Sequence, residues 1–229
     1  ALTPAGKANF MEYWGTLTGI SDIEPPLRLS LTPYVSSYYE TAPSYNADGS
    51  SFNYVNSFSY NAGADIKYGI DERFTVDMTL LPDFGQVQSD NKVKNISYQE
   101  VRYQEYRSFF KEGTELFNQG MFYSRRIGRT PGLFYSVPYL LNPGETIEKN
   151  PSQAKLVNAT KLSGRTNAGT GIGLFNAVTD NTYAIVKDSL GKERKILTEP
   201  LTNYNAIVFD QQLKNSSKIN FMNTNVMRD

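Results

Sequence analysis

Long runs of strict apolar–polar alternation constrain this chain more than any other feature. From Tyr54 to Tyr68 one face would carry Tyr54, Asn56, Phe58, Tyr60, Ala62, Ala64, Ile66 and Tyr68; the other would carry Val55, Ser57, Ser59, Asn61, Gly63, Asp65 and Lys67. Phe74, Val76, Met78 and Leu80 then alternate with Arg73, Thr75, Asp77 and Thr79. A period of two belongs to antiparallel strands whose two faces meet different surroundings. Gly69-Ile70-Asp71-Glu72, between the two runs, is short enough for a tight hairpin. Leu27–Val35 alternates in the same way, with Leu27, Leu29, Leu31 and Val35 on one side.

A second set of strands follows residue 153. Lys155–Arg165 and Thr170–Val178 flank the turn Asn167-Ala168-Gly169, and Tyr183–Lys187 and Arg194–Glu199 flank a tip at Gly191-Lys192. Asn203–Leu213 and Lys218–Met227 flank Lys214-Asn215-Ser216-Ser217. Roughly eight or nine strands are expected from this spacing. Asp83–Ser152 lacks clean alternation and is too long for an ordinary hairpin loop. Within it, Ser97–Asn118 has near-helical spacing and predicts a short helix over part of it, starting near Ser97, while the prolines of Thr130–Pro151 predict irregular, extended chain. The organisation expected is a lead-in over 1–26, first strands over 27–82, an insertion over 83–153 and further strands over 154–229.

Composition narrows the chemistry. The chain has no histidine and no cysteine. Ser-His-Asp and Cys-His catalysis, thiolate or imidazole zinc sites and disulfides are therefore excluded within it. Lys+Arg and Asp+Glu balance at 23 each, with no basic stripe, so nucleic acid is not an expected partner. No apolar run approaches the length of a membrane-spanning helix. Alternating barrel strands escape that test, because their polar face dilutes the hydropathy. No cofactor and no metal site is expected; Asp71-Glu72 lacks the spacing of a calcium loop.

A few clusters could carry a ligand or a reaction. Arg125, Arg126 and Arg129 form the densest positive group, able to grip an anion or to tether the insertion to strand walls through carboxylates such as Glu112. Glu105, Glu112 and Glu115 lie near Arg107 and Lys111; paired carboxylates suit a glycosidase, whereas ion pairing with those cations is the plainer use. Asp83, at the mouth of the insertion, joins Arg107 and Glu112 as a possible ligand or tethering residue. Gly169-Thr170-Gly171-Ile172-Gly173 resembles a phosphate loop without its lysine, and a turn with small residues explains it. Trp14 with Tyr13, or Tyr34, Tyr38 and Tyr39, could stack on sugar rings, though packing is the commoner role.

Several segments, in order, resemble a Bacteroidota family of unknown function in which an outer-membrane β-barrel follows a carbohydrate-binding-family-nine-like domain. They include Trp14–Ile20, Pro25–Leu29, Leu81-Pro82-Asp83-Phe84-Gly85-Gln86-Val87-Gln88-Ser89-Asp90, Tyr103–Gly113 and Phe122-Tyr123-Ser124-Arg125-Arg126-Ile127-Gly128-Arg129. Gln104 and Ser108 stand where the family usually has proline, and Ser89 where it has alanine. The resemblance implies an all-β chain, the N-terminal part of an outer-membrane-type barrel of antiparallel strands, with one long mixed insertion acting as a plug or periplasmic cap. It also implies a Gram-negative outer-membrane location and contact with lipid. The partners it implies are the remaining barrel strands and the N-terminal carbohydrate-binding-like domain. A gated pore or envelope scaffold for solute or glycan handling is the function expected. Two other readings stand beside it: a soluble glycan-binding β-sandwich, and a membrane-associated hydrolase using Glu105, Glu112 or Asp83.

Overall fold

The computed structural model describes residues 18–19, 27–45, 52–83, 94, 96–99, 101–117, 120–214 and 217–229. Ten strands occupy them: β1 Leu29–Tyr45, β2 Phe52–Gly69, β3 Phe74–Leu80, β4 Thr146–Lys149, β5 Leu156–Arg165, β6 Thr170–Thr179, β7 Thr182–Lys187, β8 Glu193–Glu199, β9 Thr202–Gln212 and β10 Lys218–Arg228. Seven form one antiparallel sheet in the order β1-β2-β3-β5-β6-β9-β10, and β4-β7-β8 form a second. Among the described residues the large sheet is open, with β1 and β10 as its edges. The chain is all-β and antiparallel, as the alternation requires.

The register makes the two faces of the large sheet easy to read. One hydrogen-bonded row crosses all seven strands through Leu29, Tyr68, Val76, Leu162, Leu174, Ile207 and Asn223. The next row of that outer face runs through Leu31, Ile66, Met78, Thr160, Asn176, Asn205 and Asn225. On the opposite, inner face the row between them holds Ser30, Lys67, Asp77, Lys161, Phe175, Ala206 and Thr224. Burial follows the faces. On β6 and β9 the inner residues from Gly171 to Thr179 and from Thr202 to Asp210 are buried, while Leu174, Ile207 and Phe209 on the outer face are exposed.

The described residues of 101–153 cover the inner face over β5, β6 and β9. Phe110, Leu116, Phe117 and Ile127 are buried against Ala159, Phe175, Ala177, Tyr204, Ala206 and Val208. Phe122 meets Phe175 with ring centroids 4.9 Å apart, edge to face. Burying each such large side chain contributes on the order of 1.5–3 kcal/mol. Gly171 and Gly173 of β6 form the seat: a side chain at Gly171 would collide with Leu116, and one at Gly173 would press on Phe117. The small residues of the Gly169–Gly173 run therefore serve the insertion as well as the turn, where only Gly169 has positive φ, +81°.

Three expectations are corrected. The short helix expected to start near Ser97 instead starts at Ser108 and makes one turn, α1 at Ser108–Lys111, because the backbone on either side is drawn onto the sheet and into side-chain hydrogen bonds. Thr130–Pro151 is not wholly irregular: it contains a 3-10 helix at Phe134–Leu140 and the strand β4. β4 raises the strand count to ten; all four of its residues are exposed, so alternation could not reveal it. β7 and β8 leave the large sheet and pack with β4 around Val137, Ala184, Val186 and Ile196. Tyr13, Trp14 and Phe84 lie outside the described residues.

The exit from β3 is fixed locally. Leu81 has φ +47°, an uncommon left-handed conformation for a side chain of its size. Its N–H donates to Val157 O at 2.7 Å, and its carbonyl accepts from Asn61 Nδ2 at 3.0 Å and from the Tyr34 hydroxyl at 3.1 Å. These bonds turn the chain out of the sheet at the start of the insertion.

Candidate functional site

Lys67, Asp77 and Lys161 are neighbours in one inner row, on β2, β3 and β5, so the sheet itself sets a cation, an anion and a cation side by side. The insertion closes over them. Lys161 is 3% exposed, and its Nζ donates to Phe109 O at 2.7 Å and to Glu112 O, with Asp77 Oδ2 3.7 Å away. The last carbonyls of a helix have no partner within it, and here the lysine supplies one from below. Its Nζ also lies 4.6 Å from the centroid of the Phe109 ring.

Glu112, just past the end of α1, reaches the same row by its carboxylate: Lys67 Nζ donates to Oε2 at 2.8 Å. That bond holds the Glu112 carboxyl below the usual carboxylate range. The arginine cluster is thus not its partner, contrary to the expectation from sequence. Asp77 Oδ1 is buried without a hydrogen bond; Lys67 Nζ, at 3.8 Å, is at ion-pair distance but too far to bond. A cavity of about 190 Å³ opens beside these groups, bordered by Ser30, Thr32, Asp65, Asp77, Ser108 and Glu112. Ile66, Met78 and Phe109 also border it, so polar and apolar groups share its lining, and it is large enough for several waters.

Arg107 holds the insertion together from within. It is 7% exposed, and Glu105 takes a forked pair of bonds from it, Nε to Oε1 at 2.8 Å and Nη2 to Oε2 at 2.7 Å. Its remaining donors reach Ile127 O and Ser124 O, both at 2.8 Å, while Phe110 stacks 4.1 Å from the guanidinium carbon. Burial would raise the Glu105 carboxyl, but Arg107 and the Ser124 hydroxyl outweigh it and hold the group below its usual range. The conformation of 105–110 is thereby locked to that of 124–127.

The other residues singled out from sequence lie apart. Asp83 accepts a short hydrogen bond, 2.5 Å, from the Tyr38 hydroxyl of β1. Arg125 and Arg126 sit in a 3-10 turn, Ser124–Arg126, with the Arg126 guanidinium 5.9 Å from the Tyr123 ring. The Arg129 carbonyl accepts from the Ala154 N–H at 3.0 Å, bringing the two ends of the 130–153 stretch together. Glu112 and Glu115 both follow the end of α1, so they share no helical face. Glu115 instead meets Arg165 of β5 at 3.4 Å, and Arg165 pairs with Asp210 of β9 at 2.5 Å.

Two participants escaped the sequence reading, Lys161 and the Arg165–Asp210 pair. The β2–β3 hairpin turn would have set Lys67 opposite Asp77, but β3 and β5 are separated by the whole insertion, and nothing local gives their register. Another ion pair braces the small sheet: Arg194 of β8 forks onto Glu145, with Nη2 to Oε2 at 2.6 Å. Arg194, and after it the Asn142 N–H, depress the Glu145 carboxyl from 4.5 to about 2. The stability this pair confers is complete above pH 4.5 and drains away toward pH 2. Protection of the β8 amides, exchange rates being taken relative to the intrinsic rate at each pH, should fall as pH is lowered across that interval, and Glu145→Gln should abolish the dependence.

A family model described as a domain of unknown function (DUF5916) matches residues 25–229. No curated protein and no solved structure matches the chain.

Proposed function

We propose, for a chain that belongs to the DUF5916 family of domains of unknown function, that it forms part of the wall of an outer-membrane-type β-barrel, with residues 101–153 standing in the lumen as a plug. The distribution of its two faces carries this reading. A soluble sandwich would bury the apolar face of its sheet against a second sheet and leave the charged face in water. Here the face carrying Leu31, Val35, Tyr60, Ile207, Phe209 and Phe221 is exposed, while the covered face buries the charged Asp77, Lys161 and Asp210 along with the apolar core of β5, β6 and β9.

The limit of the outer apolar band supports the same conclusion. It falls after Phe221 on β10, Ile207 on β9, Leu174 on β6 and Leu162 on β5, where Asn223, Asn205, Asn176 and Thr160 follow. On β3 the band runs to Leu80, on β2 it reaches Phe58, and on β1 it runs to Val35, where Ser37 follows. From Phe221 to Val35 the border climbs about 8 residue steps over six strand spacings, on the order of 26 Å along the strands against about 29 Å across the sheet. That slope, about 40°, is close to the tilt of barrel strands in a bilayer. A membrane plane crossing tilted strands leaves such an oblique limit.

In this reading lipid meets the outer face, and the Lys67–Asp77–Lys161 row lines a hydrated lumen. The insertion then limits which solutes, glycans among them, pass along it. Further strands, from outside this stretch, join β1 and β10. The test is extraction and electrophoresis of the full-length protein. Release only by detergent, with faster migration before heating than after, is expected; release by a detergent-free alkaline wash would overturn the reading. Ala62→Arg, midway along the outer apolar run of β2 from Tyr68 to Phe58, should weaken assembly by about 2–4 kcal/mol, the cost of a charge on the lipid face near the bilayer centre. Leu190→Arg, in the exposed β7–β8 turn, should assemble as the parent does.

A further inference from the structure

The two ends of the large sheet differ in kind. At one end all three connections are tight: Ile70–Arg73 joins β2 to β3, 166–169 joins β5 to β6, and 213–217 joins β9 to β10. Every long excursion leaves from the other end. There β1 and β2 run on, paired, to Tyr45 and Phe52, well past the Leu80 end of β3. There too β3 passes into the insertion, and β6 passes through the small sheet before returning as β9.

That second end also carries a cluster of interlocked amides on its outer face. Asn176 Nδ2 donates to Asn203 Oδ1 at 2.7 Å and to Asn205 Oδ1 at 2.8 Å, and Asn205 Nδ2 donates to Asn225 Oδ1 at 3.1 Å. The cluster begins where the apolar band stops. Amide groups suit a headgroup layer, where their remaining hydrogen-bonding capacity is met by polar lipid or water.

Outer-membrane barrels keep their short turns in the periplasm and their long connections outside. Resting on the barrel reading, we infer that the excursion end of this sheet faces the cell exterior and that its asparagine cluster lies against the outer-leaflet headgroups. The insertion is then a loop folded inward from outside. It enters at Leu81, reaches the level of Gly171 near the short turns, where Leu116 packs, and returns to β5 through Ala154 and Leu156. A molecule that displaces it would approach from the external medium.

The stretch contains no cysteine, so single thiols report position against a low background. Leu190→Cys marks the excursion end, and Asn167→Cys and Lys214→Cys mark the short turns; all three positions are exposed. Intact cells carrying each variant of the full-length protein are treated with a membrane-impermeant maleimide, with the parent labelled in parallel. Labelling of Leu190→Cys in intact cells, and of the other two only after the outer membrane is permeabilised, is expected. The reverse pattern in detergent-requiring, heat-modifiable protein would overturn the sidedness and leave the barrel standing. Equal labelling of all three, with release by a detergent-free wash, would overturn both.

Discussion

Replacing Arg107 with methionine should destabilise the insertion by about 3–5 kcal/mol, the range for breaking a buried ion pair by removing one partner. Glu105 would keep a buried carboxylate with only the Ser124 hydroxyl and the 107 N–H to bond it, at 2.6 and 3.0 Å. The carbonyls of Ser124 and Ile127 would lose the Nη donors that now reach them. Methionine replaces the packing on Phe110 but none of the donors. Arg107→Lys restores the charge without the planar fork and should fall between the two. Limited proteolysis reads the result: cleavage within 101–130 should rise in the order parent, lysine, methionine, while the strands stay resistant. Equal resistance in all three would show that the pair is not what orders this segment.

Lys161→Met should have a comparable effect by a different route. Asp77, 8% exposed, would retain Lys67 alone at 3.8 Å, and the carbonyls of Phe109 and Glu112 would lose their donor. About 3–5 kcal/mol is expected again, expressed as loosening of α1 and the turn that follows it. Because the variant removes a link between insertion and wall, protease should reach 108–117 more readily. If the lumen is a conduit, single-channel conductance in planar bilayers should rise with it. Combining Lys161→Met with Asp77→Asn should cost less than the two changes added, since the orphaned carboxylate disappears. Glu112→Gln is the useful contrast: the Lys67–Glu112 pair is half exposed on both sides and contributes about 0–1 kcal/mol. A large effect there, with a small one at Lys161, would reverse the assignment of which contact fastens the insertion.

The two buried cations show how unevenly a site of this kind can be read from its residues. Arg107 and Glu105 are two residues apart, so their pairing is local and was among the plain alternatives at the outset. Lys161 sits in an alternating strand, where parity says which face it shares and nothing says which element covers it. The arginines at 125, 126 and 129 drew notice through their density, yet Lys67 is the cation that meets Glu112. Density along the chain measures proximity only when the backbone between is straight, and the described residues between 112 and 125 fold through several turns.

What the sequence determined by itself is whatever has a short period. The alternation from Tyr54 to Leu80 assigns each side chain to a face, and the tips at 69–72, 167–169, 191–192 and 214–217 place four hairpins, because a strand and its turn are decided within a few residues. The tertiary structure alone decided the pairing of β3 with β5 and of β6 with β9, and the departure of β7 and β8 to join β4. It also decided that the near-helical stretch around Phe109 contributes a single turn. Those outcomes depend on contacts across long separations, where register is chosen by how Leu116 and Phe117 seat on Gly171 and Gly173 and how Lys161 meets the end of α1. Local propensity cannot anticipate a partner that only folding brings near.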